Sequence, residues 1–510
     1  MIVLGLEQGH NGTACLMKDG KILAILSKER LSRKKNDLGY PKEEIDWCLD
    51  YTGIKPNDID VVAESTINED IMWLMLKRES DFSIEEYVKE QHEYFKPLLL
   101  EKKPAKALKW QYFTRLETTS GIKETNYDRS MLTETNFTNP KLSMKIKTKT
   151  ILEHLKIKPK KIRFVDHHTC HAYFAYFCSP FRTPTLVLTA DAFGDGLNAT
   201  VSIANKNNIK RIFSTNNCQL ARMYRYITLL LGMKPLEHEY KVMGLAPYSN
   251  SKELNRAYKV FEELMRVEGL EFRWNKKPKD LYFHFKERLE GCRFDGIAGA
   301  LQKMVEELTI QWVRNAINRT GIKQVVFAGG LAMNIKLNMA IANMPEVTNL
   351  FVGPNPTDES NAIGVCYFIM NEQSKQRKII SPMEHVYWGP EFTQKEILNT
   401  INEKTDKYHI TKGVDNKYIA QKLSQGKTVG ICRGRMEFGA RALGNRSILA
   451  NPSYPNIVRV INEQIKYRDF WMPFTPSILQ ERAKDYLVNP KKIDSPFMTI
   501  GFDSTPLARK

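Results

Sequence analysis

The sequence predicts a duplicated α/β domain whose halves face each other across a cleft, followed by a second and shorter α/β unit. Three observations predict it. Residues 2–26, IVLGLEQGHNGTACLMKDGKILAIL, read as strand, glycine-rich turn, strand, Asp-Gly turn and strand. Residues 185–213, TLVLTADAFGDGLNATVSIANKNNIKRIF, repeat that plan about 180 residues later. Composition then turns polar and charged at 371–381, NEQSKQRKIIS, before the chain resumes with helix 416–424, strand 427–433 and an arginine-rich loop. The expected boundaries are 1–370 for the duplicated domain, 371–386 for a linker and 387–510 for the second unit.

Within the first repeat, Asp19-Gly20 is the hairpin signal, and a helix is expected over 42–53. Between the repeats, an apolar strand at 162–165 runs into Asp166, a helix N-cap for the segment ending AYFAYFCSPF. Helices are expected over 220–232 and 252–267 after the second repeat. A further strand, 324–328, leads through Gly329-Gly330 into the helix-like LAMNIKLNMAIAN, placing a glycine turn at a helix N-terminus as in phosphate sites.

With 510 residues, 42% hydrophobic and 26% charged, the chain can bury a large core in two or three units. Its 28 Gly and 23 Pro exclude collagen-like or low-complexity structure, and no apolar run reaches the about 18 residues a membrane helix needs. The start, MIVLGLEQGHNGTA, lacks the basic and apolar regions of a signal peptide. Eight scattered cysteines without a CxxC pair read as reduced thiols, so the expected compartment is cytoplasmic. The net charge of +18 is uneven: from Lys96 to Arg163 there are 17 basic and 6 acidic residues, a local +11. That stretch is either a solvated lysine-rich surface or a face for an anionic partner; its few interleaved aromatics argue against nucleic acid. GxGxxG and HExxH are absent, and Gly426-Lys427-Thr428 lacks the preceding glycine of a P-loop.

His167 and His171 lie four apart in DHHTCH, so on a helix they share a face and can chelate one ion through neutral imidazoles. Two surface histidines are the plainer reading of such spacing, and oxygen ligands must come from elsewhere. Asp191 in TADAFGDG and Asp358 in NPTDES both follow apolar strands, where open α/β folds keep their chemistry. A two-His, two-Asp set suits iron, manganese or zinc better than calcium. Later, RGRMEFGARALGNRS (433–447) concentrates four arginines, one glutamate and three glycines. Guanidinium forks bind phosphate bidentately and keep their charge, so this loop is expected to hold a polyanion, with Lys466 and Arg468 adding two cations.

At these residues the sequence resembles the NodU/CmcH O-carbamoyltransferases, which decorate nodulation factors, cephalosporins and aminoglycosides. The resemblance spans nearly the whole chain, through GHNGTACL, ERLSRKK, DHHTCHAYFAYFCSPF, TADAFGDG, EYKVMGLAPY, FAGGLAMN, NPTDESNAIG and GRMEFGARALGNRSIL. It implies an actin/Hsp70-like (ASKHA-type) N-terminal domain and a YrdC-like α/β C-terminal domain. The latter joins carbamoyl phosphate to ATP, giving carbamoyl-adenylate and pyrophosphate; the former passes the carbamoyl group to an acceptor hydroxyl.

The family's metal ligands match His167, His171, Asp191 and Asp358, with iron the expected ion and Mg accompanying ATP. Its nucleotide segments match Gly329, Gly330 and Asn334, and Glu239 and Lys241. Arg435, Arg441, Arg446, Lys466 and Arg468 are expected at the phosphates. His10 matches a family histidine able to accept the hydroxyl's proton; a turn histidine without chemistry is its plainer reading. Expected partners are ATP, carbamoyl phosphate and a sugar-containing or natural-product acceptor, with no membrane. Family chains continue past the stretch matching SPFMTIGFDS into an HVDGT-like motif, whereas this sequence stops at STPLARK. An incomplete C-terminal domain is therefore expected, with the adenylate-forming step affected and the transfer site intact. A tRNA-modifying protein related to threonylcarbamoyl transfer, or a nucleotide-binding protein without adenylation activity, is the alternative.

Overall fold

The computed structural model describes residues 1–71, 74, 82–105, 127, 130–133, 136, 139–373, 380–403 and 407–509. The first repeat forms strands β1 (Ile2–Glu7), β2 (Thr13–Lys18) and β3 (Lys21–Ser27), joined by β4 (Val61–Glu64) and β5 (Ile162–Phe164). Three antiparallel strands meander from the turns read in the sequence, and β4 and β5 add in parallel beside β1, giving the order β3-β2-β1-β4-β5. The second repeat forms β6 (Thr185–Gly194), β7 (Leu197–Asn205) and β8 (Asn208–Thr215). A small hairpin, β9 (Met265–Glu268) and β10 (Glu271–Trp274), follows, then β11 (Gln324–Ala328) and β12 (Asn349–Val352). The second sheet has the order β12-β11-β6-β7-β8, the first sheet's plan read from the other edge. The duplicated α/β architecture thus follows from the strand order itself.

Between the sheets lies a helix pair, His167–Cys178 and Asn361–Gln373, whose apolar faces join Val3 and Cys15 of one sheet to Val187 and Val326 of the other in one core. Both helices are apolar nearly all round, as a helix buried on every side must be. Their crossing is close because Gly364 has no side chain: a Cβ there would stand 2.0 Å from the Cys170 carbonyl oxygen. The outer face of the second sheet is covered by the Leu220–Leu230 and Phe294–Thr320 helices, and that of the first by Lys42–Thr52 and Pro140–Leu155.

Several element ends differ from the sequence reading by one or two residues, and one differs by more. The helix expected over 252–267 spans Ser251–Glu262, because Gly269, with φ 58, closes the β9–β10 hairpin and draws Met265–Glu268 into it. The Asn361–Gln373 helix runs three residues into the expected linker, residues 374–379 lie outside the described residues, and Ile380, Met383 and Val386 pack into the core between the sheets. The basic 96–163 stretch also lies partly outside the described residues. C-terminal strands β13 (Val429–Cys432) and β14 (Arg446–Leu449) pair antiparallel, as do the two-residue strands β15 (Leu487–Val488) and β16 (Asp503–Ser504). This region is tied to the first domain by Phe438 and Phe497 in the inter-sheet core and by Thr499, whose hydroxyl donates to Val352 O at 2.8 Å. Among the described residues, no helix is long and apolar enough to cross a membrane.

Candidate functional site

The parallel strands end where the sequence places its chemistry. Asp166 caps the His167–Cys178 helix by accepting from Thr169 N at 2.8 Å, which starts the helix so that His167 and His171 share its inward face. Asp191 comes from β6, and Asp358 from the turn after β12. The four side chains converge: one ligand atom from each lies within 4.8 Å of the others. His171 Nε2 is 3.1 Å from His167 Nε2, 3.2 Å from Asp191 Oδ2 and 3.4 Å from Asp358 Oδ1; His167 Nε2 is 3.4 Å from Asp358 Oδ1. Bonds of ~2.0–2.1 Å to a shared ion place neighbouring ligand atoms about 3–3.4 Å apart, so the spacing fits a divalent cation.

Charge and burial are balanced accordingly. Burial alone would lower the His167 pKa, but the Asp358 and Asp191 carboxylates overcome it and hold it well above the usual value. Burial would raise Asp191, yet His167 and His171 hold its carboxyl well below the usual range. The neighbouring His168, turned away to Thr189 Oγ1 at 2.8 Å, is lowered to about 3 by burial and the two other imidazoles. Two carboxylates, two imidazole nitrogens and no lysine among them form a donor set made for a cation rather than for an anion.

The glycine turn serves this centre. Gly329, with φ 97, lies so close to β6 that a Cβ would stand 2.2 Å from Ala190 O; its neighbour Gly330 donates its N–H to Asp191 Oδ2 at 2.9 Å. Asn334 caps the Ile335–Asn343 helix through Leu337 N at 3.0 Å and donates to Tyr224 and Gln302. Asp195, unassigned in the sequence reading, clamps the two halves: its carboxylate accepts from His167 N at 2.7 Å and from Ile67 N and Asn68 N at 3.0 and 2.6 Å. An Asp in a Gly-Asp-Gly turn looks like an ordinary turn former, so nothing local marked it.

His10 sits half-buried on the loop after β1, its Nε2 2.7 Å from Leu236 O. Glu239 accepts from Leu236 N at 2.6 Å, and Lys241 pairs with Asp469 at 2.9 Å. Next to the His10 loop lies a buried acidic network whose members are scattered along the chain without a shared motif. Glu7 accepts from Gly9 N at 2.6 Å and from the Ser65 hydroxyl; Glu64 binds Lys147 at 2.8 Å and Gln8 at 2.7 Å; Glu69 also binds Lys147. Burial, then the Glu69 and Asp358 charges, push the Glu7 carboxyl well above its usual range.

The arginine loop packs on the turn that carries Asp358: a Cβ at Gly439 would stand 3.0 Å from Asn355 Cβ, and Arg30 donates to Gly439 O. Its cations are placed differently from one another. Arg435 donates to the carbonyls of Leu23, Trp388 and Gly389, and Arg446 to those of Arg433, Gly434, Asn445 and Pro390. Arg468 donates to Asn462 Oδ1 at 2.5 Å and stacks on Phe474, while Lys466 is exposed. Arg441 is half-buried, its Nε has no hydrogen-bond partner, and burial lowers its pKa.

Comparison with known proteins matches residues 2–367 to the family described as Carbamoyltransferase N-terminus and residues 420–510 to Carbamoyltransferase C-terminus. An uncharacterized protein of Methanocaldococcus jannaschii is 30% identical over 513 residues, covering 98% of this chain and 82% of its own length. Nodulation protein NolNO of Sinorhizobium fredii is 27% identical over 504 residues, covering 96% of this chain; the chain spans 66% of that relative. Among solved structures, full-length HypF in its phosphate- and nucleotide-bound form aligns with 11% identity and TM-score 0.36 over 74% of this chain and 47% of HypF. With both parts of the chain matched in order, and with the matched first part enclosing the two-His, two-Asp centre, the chain belongs to the carbamoyltransferase family and is an enzyme of that class.

Proposed function

We propose that the enzyme carbamoylates a hydroxyl of a sugar-containing or natural-product small molecule, drawing the carbamoyl group from carbamoyl phosphate and ATP through carbamoyl-adenylate. The observation that carries this reading is the convergence of His167, His171, Asp191 and Asp358 at the strand ends, beside the Gly329-Gly330 turn. A divalent ion held there, iron or else manganese or zinc, would act as Lewis acid and template for the adenylate.

The chain's own residues account for the rest. In the first step water hydrolyses carbamoyl phosphate to carbamate and orthophosphate, a carbamate oxygen then bonds to the α-phosphorus of Mg-bound ATP, the bond from that phosphorus to the β-phosphate oxygen breaks, and pyrophosphate leaves. Arg441, whose Nε has no hydrogen-bond partner, binds the anions together with Arg435 and Arg446 of the same loop and with Lys466 and Arg468. Gly329, Gly330, Asn334, Glu239 and Lys241 line the nucleotide's place. In the second step the acceptor oxygen bonds to the carbamoyl carbon, the bond from that carbon to the phosphate oxygen breaks, and AMP departs. His10 takes the hydroxyl proton. Residues 1–370 perform transfer and 387–510 form the adenylate, in a cytoplasmic setting that suits eight free cysteines. The test is a panel of hydroxylated sugars and glycosides incubated with enzyme, Mg-ATP and isotopically labelled carbamoyl phosphate. Label in one acceptor, with AMP in equal amount, is expected; AMP formation that no acceptor stimulates, with no label transferred, would contradict the reading.

A further inference from the structure

We infer that Leu236 is a positioning residue for His10: its left-handed backbone turns its carbonyl onto Nε2 of the imidazole, fixes the ring proton there, and leaves Nδ1 as the nitrogen that takes a proton. The inference deepens the reading of His10 as the base and rests on it.

Leu236 has φ 68. A leucine there gains nothing from its side chain, which has no polar group to bond back to the local backbone, so the conformation persists only because the surroundings impose it. Those surroundings are specific. Glu239 Oε1 accepts the Leu236 N–H at 2.6 Å, and His238 N donates to Lys234 O at 3.0 Å, closing the turn. From the opposite half of the molecule, three side chains donate into the turn's carbonyls. His10 Nε2 and Asn36 Nδ2 reach Leu236 O at 2.7 and 2.9 Å, and Lys35 Nζ reaches Glu237 O at 3.1 Å.

A carbonyl oxygen can only accept, so the nitrogen facing it carries the proton. In the neutral ring the lone pair is then on Nδ1, which has no hydrogen-bond partner among the described residues. Gly9, just before His10, donates its N–H to Glu7 at 2.6 Å, which fixes the backbone that carries the ring. After Nδ1 takes a proton, the Nε2–H bond to the carbonyl remains and strengthens with the charge, the part a carboxylate plays behind a catalytic histidine elsewhere. The strain at Leu236 therefore has a use: with ordinary φ the carbonyl would turn away from His10.

Two substitutions separate this role from side-chain packing. Leu236→Gly accepts the left-handed conformation and deletes the side chain; Leu236→Val keeps an apolar side chain but is β-branched and resists that conformation. The probe is nitrogen-15 NMR of the full chain with labelled histidine, His10 being assigned by the signals lost in His10→Gln. The native protein and Leu236→Gly are expected to show His10 with the proton on Nε2, and folded Leu236→Val to lose that preference. The reverse order of the two variants, or the same preference in both, overturns the inference. Should Leu236→Val fail to fold, the native chain and Leu236→Gly still decide it, since a proton on Nδ1 in either overturns it. Carbamoyl transfer that survives in His10→Gln would remove the base reading alone, while the tautomer result stands by itself.

Discussion

Gly194 lies against the imidazole of His167 so closely that a Cβ on it would stand 2.1 Å from His167 Cδ2 and 2.7 Å from Nε2. No real side chain tolerates such contacts, and β6 is fixed by its pairing with β7, so the imidazole would have to move. Gly194→Ala is expected to fold and to bind its metal about 10–100-fold more weakly, the usual cost of disturbing a ligand's support. Competition with a chromogenic chelator measures this; native affinity in the variant would show that His167 is not a ligand.

The Lys147 ammonium is fully buried between Glu64 and Glu69, whose charges raise its pKa well above the usual value against the effect of burial. Removing it leaves two carboxylates facing each other without a cation. Lys147→Met is expected to lose about 3–5 kcal/mol of stability. Adding Glu64→Gln should recover part of that loss. Urea denaturation of both variants checks it, and a Lys147→Met protein as stable as the native one would mean the network is not closed as described.

Glu44, buried beside Lys28, has its pKa raised by burial from 4.5 to about 7. A carboxyl that binds its proton more tightly when folded stabilises the fold at low pH. That contribution is complete below 4.5 and lost as pH rises through about 7. Glu44→Gln should flatten this part of the stability profile and be more stable than the native protein at pH 8, on the order of 1–3 kcal/mol. Thermal melts from pH 4 to 8 measure it, and parallel curves for the two proteins would contradict it.

Arg441 is a half-buried arginine of the loop whose Nε is not spent on the protein's own carbonyls. Arg441→Ala is expected to weaken binding of carbamoyl phosphate or ATP by roughly 1.5–3 kcal/mol per charged hydrogen bond removed. Calorimetry with each ligand tests it, and unchanged affinity for both would place the anion site elsewhere.

Much of this was legible in the sequence because it depends on local rules. The two meanders announce themselves by Asp19-Gly20 and by the second glycine-rich turn, and the helix that aligns His167 with His171 by its Asp166 cap. Asp191 and Asp358 were readable as strand-end carboxylates, although only the parallel pairing of β6, β11 and β12 brings them together. What was not legible depends on distant partners. Lys147 resembled any other lysine of a basic stretch until the fold set it between Glu64 and Glu69. Arginine's fork fits a carbonyl pair as readily as a phosphate, so the sequence could not separate Arg435, held by Trp388 and Gly389, from Arg441. Leu236 carried no mark at all, because leucine is not the residue from which a left-handed turn is read.

The measurement that tests the account most directly is metal content per chain, taken after reconstitution with ferrous iron and removal of excess by gel filtration. It compares the native enzyme with the His167→Ala, His171→Ala double variant of equal helical content. One ion per native chain and none in the double variant is the predicted result; equal metal in the two proteins would contradict it.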